Sequence, residues 1–170
     1  MKTIYIKRIN KNLPLPTINV NGDFIDLYCS ERVEFRAPKV IEENNTVLFD
    51  FKLIKLGVAI QLPKGFEAIL VSRSGTGKKH GISNPNGFGV IDNSFSGDND
   101  EWRFPAISFR KTALSEGVPF CQFKIQLSQK ATVWQKISWL FSNGIKIEEV
   151  DTLHNEDRGG GCIRAEETKN

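Results

Sequence analysis

The sequence has few of the residues on which metal centres, disulfide frameworks and membrane spans depend. It contains two histidines and three cysteines in 170 residues, and no two cysteines stand in C-x-x-C spacing. These numbers exclude a histidine-rich metal centre and argue against a disulfide framework or a zinc site, so we expect reduced thiols in a cytoplasmic protein. No segment approaches the roughly 18 uninterrupted apolar residues of a transmembrane helix, and no membrane partner is expected. The first residues, "MKTIYIKRIN", offer no signal-peptide core.

A strong charge of either sign is also absent. The formal net charge is +3, from 23 lysines and arginines against 20 aspartates and glutamates. This mild balance does not indicate a nucleic-acid partner, although it leaves small anionic ligands open. Hydrophobic residues make up 39% and charged residues 25% of the chain, as in ordinary globular proteins, and the length suits one domain with a substantial core.

What the sequence does contain is a series of short β-type runs. They are "TIYIKRI", "TVLFDFKLIKLGVAIQLP", "EAILVSR", "EWRFPAISFRKT", "VPFCQFKIQLS" and "IKIEEVDTL". The second is one or two runs broken at Gly57, and the turn Pro63-Lys64-Gly65 precedes the third. Because little helix intervenes, the sequence predicts an all-β fold, an antiparallel sandwich or barrel.

One segment, "ATVWQKISWLFSNG", has helical rather than strand-like spacing. Its apolar residues, which share one face of a helix, are Val133, Trp134, Ile137, Leu140 and Phe141. Gly144 follows as a stop signal, so we predict a short helical insertion over about 132–143. The polar, glycine-rich residues 155–170 show no periodicity and predict a flexible C-terminal arm after a β domain of residues 1–154.

The stretch "SRSGTGKKHG" has the composition of a phosphate-binding loop. The Walker A pattern G-x-x-x-x-G-K-[ST], aligned on Gly77-Lys78, requires a glycine at Ser72 and a hydroxyl at Lys79. The following "HGISNPNGFGVIDNSFSGDND" is too rich in Gly, Asn, Pro and Asp for the helix that such a loop precedes. An ATPase loop is therefore rejected. A glycine-rich turn with solvated lysines, or a phosphate site of another kind, remains.

Carboxylates and an arginine recur in glycine-rich settings along the chain. Asp23 and Asp26 lie three residues apart in "GDFIDL", Asp92 follows a β-branched pair in "NGFGVIDNSFSGD", and Arg158 precedes three glycines in "EDRGGG". Each also suits an ordinary structural role: a turn or edge aspartate, a hairpin-opening aspartate, a solvated arginine. Their order in one small β-rich chain favours a functional explanation.

That order resembles the five motifs of the trimeric dUTP pyrophosphatase (dUTPase) family, from about Gly22 to Gly161. "RSG" with a following "HGI" is similar to the second motif, and "NGFGVIDNSFSGD" to the third, N-x-x-G-x-I-D-x-x-Y-x-G. "EGVPFCQF" resembles the fourth, and "GDNDEWRFPA" is similar to the Bacillus-and-phage branch of the family. The resemblance implies a jelly-roll-like β-barrel, a homotrimer with active sites at subunit interfaces, and magnesium-dependent hydrolysis of dUTP to dUMP and pyrophosphate.

The resemblance also implies roles for individual residues. Asp92 would be the general base that orients and deprotonates the water attacking the α-phosphorus. The other implied residues are Arg73, Ser74, Gly75 and Gln122 for the phosphates, Asn86, Gly89, Val90 and Ile91 for the uracil, Phe95 for the deoxyribose, Asp26 for magnesium through water, and Arg158, Gly159 and Gly160 for closure on the γ-phosphate from a neighbouring subunit.

The chain departs from the family pattern at several positions. Phe95 replaces a tyrosine, and Pro119 stands where the fourth motif often has arginine. One extra residue after the glycine in "GDFID" leaves Asp23 a rival to Asp26. After Gly161 the chain reads "CIRAEETKN", without the serine, threonine and glycine of the fifth motif and without its aromatic uracil lid. Trp102 or a residue of the helical insertion is a candidate for that lid.

Two alternatives to an active dUTPase follow from these departures. The altered fifth motif is compatible with a dUTPase-fold protein that binds nucleotide or a protein partner and turns over poorly. The related dCTP deaminases share the fold but need a glutamate acid/base near the cytosine amine. Because Asp92 lies in the pattern I-D-x-x-[FY]-x-G, the sequence favours the hydrolase.

Overall fold

The computed structural model of the chain describes residues 1–153. Its strands are β1 (Lys2–Arg8), β2 (Ile25–Tyr28), β3 (Val33–Phe35), β4 (Lys39–Ile41), β5 (Thr46–Leu48), β6 (Phe51–Lys55), β7 (Val58–Gln61), β8 (Phe66–Ser72), β9 (Ile82–Ser83), β10 (Gly89–Asp92), β11 (Arg103–Ser108), β12 (Thr112–Leu114), β13 (Pro119–Leu127) and β14 (Ile145–Glu149). The α-helices are α1 (Thr76–His80) and α2 (Val133–Leu140), and a 3-10 turn spans Glu42–Asn44.

The strands form small sheets around one apolar core. The largest has the order β10-β8-β13-β2; two others run β14-β1-β7 and β6-β11-β9, and β12-β3 and β4-β5 are two-stranded. Described pairs are antiparallel except β1 with β14, which are parallel. The predicted fold class, an all-β jelly-roll-like barrel with one short helical insertion, is confirmed.

β8 is an inner strand of the largest sheet, and its side chains alternate between the core and the opposite face. Phe66, Ala68 and Leu70 point inward and are buried, whereas the residues between them are half-buried on the opposite face. Phe66 is fully buried, and truncating such a ring to alanine costs about 3–5 kcal/mol. The centre of this sheet is therefore a rigid frame for the polar residues at its edges.

Several local features differ from the sequence predictions. The run after Asn45 forms three strands, because the chain bends after Leu48 and again at Gly57, which has φ +66°. The strands β2, β3 and β4 and the helix α1 were not predicted. The helical insertion predicted over about 132–143 is confirmed, and its helix α2 spans Val133–Leu140.

The boundary at residue 154 and the arm of residues 155–170 lie outside the described residues. None of the helices within residues 1–153 has the length and apolar character needed to cross a membrane.

Candidate active site

The predicted phosphate loop begins as a β-turn directly after β8. The backbone N–H of Thr76 donates to the carbonyl of Arg73 (3.0 Å), and the buried Thr76 hydroxyl donates to the carbonyl of Phe120. Arg73 N–H also donates to Phe120 (3.1 Å), which ties the turn to β13. The turn continues into α1, leaving Ser74 exposed and Gly75 half-buried. The turn's backbone is therefore fixed both by its own hydrogen bond and by the hydrogen bonds to β13.

The guanidinium of Arg73 is held by two groups of neighbouring strands. Its Nε lies 3.0 Å from Oδ1 of Asp26 on β2, and its Nη1 donates to the carbonyl of Pro119 (3.2 Å). Gln122 on β13 pairs directly with Asp26, so their side chains share one face of the sheet. The structure thus brings Asp26, Arg73 and Gln122 together, and we call these three residues the arginine cluster.

The ion pair also distinguishes the two rival aspartates. Asp26 engages Arg73, whereas Asp23 is exposed in the loop that precedes β2. Burial raises the pKa of the nearby Tyr28 hydroxyl, the charge of Asp26 raises it further, and Arg73 partly opposes both effects. Pro119, a departure in the sequence pattern, contributes its carbonyl to the cluster rather than its side chain.

The predicted uracil-binding stretch is a tight turn that leads into β10. Asn84 is buried and shapes this turn: its Oδ1 accepts from Asn86 N–H (2.9 Å), and its carbonyl accepts from Gly87 N–H (3.0 Å). Gly87 has φ +76°, which favours glycine. Gly89 packs against Leu70 of β8, where an added Cβ would lie 3.6 Å from the leucine Cβ. Sequence reasoning missed Asn84, although the Asn-Pro dipeptide that begins with it is a turn signal.

Alternation along β10 sets the positions of the next three predicted residues. Val90 and Asp92 are exposed, whereas Ile91 is half-buried and packs against the core. Phe95 is also partly buried against the core, with its N–H donating to the Asp92 carbonyl (3.1 Å). The exposed ring of Phe88 lies on the turn before β10.

The carboxylate of Asp92 is fixed by the turn that follows it. Oδ1 accepts from the backbone N–H of Ser94 (2.8 Å) and from the Ser94 hydroxyl. Asp92 lies in a cleft of about 870 Å³. The cleft is lined by Gly65, Phe66, Glu67, Asp92, Asn93, Ser94, Ser128, Gln129, Lys130, Thr132 and Gln135. Asp92 is therefore an oriented hydrogen-bond acceptor in an open cleft.

Asp92 and the arginine cluster lie at opposite corners of the largest sheet. Asp92, on the edge strand β10, pairs with Glu67 of the inner strand β8. Asp26, on the opposite edge strand β2, pairs with Gln122 of β13, which in turn pairs with Val71 of β8. Four residues along β8 at ~3.3 Å and three strand spacings at ~4.8 Å separate the two corners, roughly 20 Å in all. One chain thus holds Asp92 and the arginine cluster at two separate positions, which we call the Asp92 half-site and the Arg73 half-site.

Other predicted residues are not brought to either half-site. Trp102 is fully buried and packs edge-on against Phe123 with ring centroids 5.0 Å apart, so it does not lie where a uracil lid is needed. A large aromatic residue in a strand more often belongs to the hydrophobic core than to a ligand site, and Trp102 follows that tendency. Arg158, Gly159 and Gly160 lie outside the described residues.

The described residues contain no ready-made metal centre. Within residues 1–153, no group of three or more histidine, cysteine, aspartate or glutamate side chains is arranged to hold a metal ion. A single carboxylate, Asp26, lies beside the arginine. Such a donor set fits magnesium that takes most of its ligands from phosphates and water, as this ion commonly does.

The fold is a jelly-roll-like β fold of the type found in dUTPases. A mutant dUTPase from phage phi11 of S. aureus, described as revealing the coordination of a structural Mg(II) ion, matches with a TM-score of 0.61, 16% identity, 76% of this chain and 94% of that chain. The dUTPase of Streptococcus mutans matches with a TM-score of 0.58, 21% identity, 69% of this chain and 88% of that chain.

Sequence comparison is more specific. The SPbeta prophage-derived deoxyuridine 5'-triphosphate nucleotidohydrolase YosS of Bacillus subtilis is 40% identical over 139 residues, covering 82% of this chain and 81% of that protein. The deoxyuridine 5'-triphosphate nucleotidohydrolase of Clostridioides difficile is 32% identical over 162 residues, covering 95% of both. No family model matches the chain. The chain belongs to the deoxyuridine 5'-triphosphate nucleotidohydrolase (dUTPase) family.

Proposed function

We propose that this protein hydrolyses dUTP to dUMP and pyrophosphate. The observation that carries the proposal is Asp92, an aspartate fixed at the end of β10 inside an open cleft, in a chain that belongs to the dUTPase family. The buried free thiols of Cys29 and Cys121 support a reducing, cytoplasmic location.

Asp92 is the proposed general base. Its carboxylate holds a water in line with the α-phosphorus and accepts a proton as the water attacks. The hydrogen bonds from Ser94 fix the direction of its lone pairs. A carboxylate is a weak base, so most of the acceleration comes from positioning and from neutralising charge on the triphosphate.

The phosphate chain binds at the arginine cluster and the adjoining turn. Arg73 supplies a fixed cation, Ser74 and Gly75 supply exposed backbone and hydroxyl donors, and Gln122 donates near the α-phosphate. Asp26 would hold magnesium through water. When bound, the ion would neutralise phosphate charge that the protein's own cations do not reach.

The nucleoside binds along the turn before β10 and the strand itself. Asn86, Gly89, Val90 and Ile91 offer backbone donors and acceptors to the uracil, and Asn84 preorganises them. The ring of Phe95 excludes a 2′-hydroxyl by its bulk, as the family's tyrosine would. The proposed roles of Arg158, Gly159 and Gly160 on the γ-phosphate concern residues outside the described part of the chain.

The separation of the half-sites supports a homotrimer. Arg73 lies roughly 20 Å from Asp92 within one chain, so it cannot hold the same triphosphate that the water beside Asp92 attacks, because both groups must lie within a few ångströms of it. Both groups can contact one triphosphate when Asp92 of one copy faces the arginine cluster of the next copy around a closed ring.

Product analysis tests the proposal. The purified protein is incubated separately with dUTP and dCTP, each with magnesium, and the products are resolved by ion-exchange chromatography. We expect dUMP and pyrophosphate from dUTP and no product from dCTP. Tight dUTP binding without turnover would contradict hydrolysis and favour the binding-protein alternative, whereas dUTP and ammonia from dCTP would indicate a deaminase.

A further inference from the structure

The apolar stripe of α2 points away from the core. A capping box between Thr132 and Gln135 begins the helix, and the Gln135 amide packs so closely over Gly65 that a Cβ there would lie 2.5 Å from it. Trp139 packs edge-on against Phe66 with ring centroids 5.0 Å apart. The helix is thus docked by its polar side and Trp139, and the predicted apolar face is left outward.

That outward face is large. Trp134 is 79% and Leu140 78% exposed. The residues of the face, which we call the α2 face, are Val133, Trp134, Ile137, Leu140 and Phe141. An aromatic side chain has a surface of ~150–250 Å², so the five side chains of the α2 face together expose on the order of 600 Å² of apolar surface. This equals the upper end of the largest apolar patch on an ordinary monomer, about 300–600 Å².

The α2 face adjoins the Asp92 half-site. Thr132 and Gln135 of the helix start line the same cleft as Asp92, together with Lys130 from the preceding turn. A protein partner that packs on the α2 face therefore lies at the edge of this cleft.

A second exposed apolar cluster adjoins the other half-site. Phe51 and Phe109 are 55% and 54% exposed, and the rings of Phe49 and Phe109 meet at 5.9 Å. The cluster, which we call the aromatic patch, consists of Val47, Leu48, Phe49, Phe51 and Phe109. Phe109 N–H donates to the carbonyl of Gly81 (2.8 Å), the residue that ends α1 after the Arg73 turn.

The two surfaces also differ in the charges around them. Residues 117–147, which include α2, contain four lysines and no aspartate or glutamate. The hairpin that leads into the aromatic patch carries Glu42 and Glu43, both exposed, at its tip. The patch is also bordered by the exposed Arg110 and Lys111 beside Phe109, so charges of both signs surround it. Two α2 faces brought together would oppose only lysines, whereas an α2 face on an aromatic patch meets carboxylates as well as cations, so the contact between unlike surfaces is the less repulsive one.

We propose that the α2 face of one copy packs on the aromatic patch of the next copy. The inference rests on the proposed function, because a shared site requires the Asp92 end of one chain to meet the Arg73 end of its neighbour. The α2 face lies beside the Asp92 end, and the aromatic patch lies beside the Arg73 end. A head-to-tail contact between different surfaces is the kind that closes into a ring.

A mixing experiment tests this contact directly. One variant carries Trp134→Ser and Leu140→Ser, and a second carries Phe51→Ser and Phe109→Ser. Val20→Ser, at a position 98% exposed and outside both surfaces, is the matched control. Thermal unfolding checks that each variant folds, and sedimentation velocity across a dilution series gives the mass.

Each double variant should dissociate to the 19.2 kDa chain at concentrations at least about 30-fold higher than the wild type and the control. Mixed, the two variants should form a dimer of twice the chain mass, because one intact α2 face then meets one intact aromatic patch. Wild-type mass for each variant alone, or a mixture that stays at the chain mass, would overturn the contact. dUTP turnover by the wild type is assayed in parallel, so that failure of the proposed function is recognised separately.

Discussion

Replacing Asp26 by asparagine removes the negative charge that faces Arg73 while keeping the shape of the side chain. The Oδ1–Nε distance is 3.0 Å, and the two side chains are 20% and 35% exposed. Because Arg73 is more than a third exposed, solvent screens the pair, and its contribution to folding is only about 0.5–1 kcal/mol. For a chain of this size we expect Tm to fall by about 1–4 °C.

The larger effect of Asp26→Asn falls on substrate. Without its ion pair Arg73 loses a fixed orientation toward the phosphates, and magnesium loses its candidate water-mediated carboxylate. We expect KM for dUTP to rise about tenfold, or 1.4 kcal/mol, and the magnesium concentration for half-maximal rate to rise with it.

Steady-state kinetics at several magnesium concentrations measure both quantities, and isothermal titration with a non-hydrolysable dUTP analogue measures binding without turnover. Asp23→Asn is the matched control, since it removes a carboxylate three residues away that is exposed in the loop. If the two variants give the same KM and the same magnesium dependence, the arginine cluster is not the phosphate site.

Three further predictions concern the base, the arm and the thiols. Asp92→Asn should abolish hydrolysis and leave dUTP binding within about tenfold; turnover above about a tenth of wild type would remove Asp92 from the base role. Truncation after Asp157 should cost 10-fold or more in rate, about 1.4 kcal/mol, and truncation after Gly161 almost nothing; two truncated proteins with wild-type activity would show that the arm does not serve catalysis. Because burial raises the pKa of Cys29 to about 11, its thiol should resist alkylation at pH 8 until the protein unfolds, as peptide mass mapping will show.

Local patterns in the sequence predicted much of the fold. The alternation of Phe66, Ala68 and Leu70 and the helical spacing from Val133 onward each reflect a period set by backbone geometry, so a short window of sequence suffices. The parallel pairing of β1 with β14 was not predictable in this way, because it joins residues about 140 positions apart.

The candidate site was predicted less completely. The order of the motifs indicated Asp92, Arg73 and Gln122 as candidate residues, and their roles stay a prediction. It did not indicate their separation across the sheet, which depends on strand order rather than on sequence spacing. Periodicity also defined one apolar face of α2 without showing that Gln135 and Trp139 would dock the helix and leave that face outward. Trp102 was one of two candidates for the uracil lid, and its complete burial, which the sequence alone does not show, argues against that role.

The central claim is that one active site draws Asp92 and Arg73 from different copies. Coexpressing Asp92→Asn and Arg73→Ala chains in equal amounts, with a different affinity tag on each, and purifying through both tags tests it directly. Each variant alone should be inactive. Hybrids should recover about a third of the wild-type kcat, because every ring of three that contains both variants has one site of three in which an intact Asp92 meets an intact Arg73. Hybrids that carry both tags and remain as inactive as the single variants would contradict the claim.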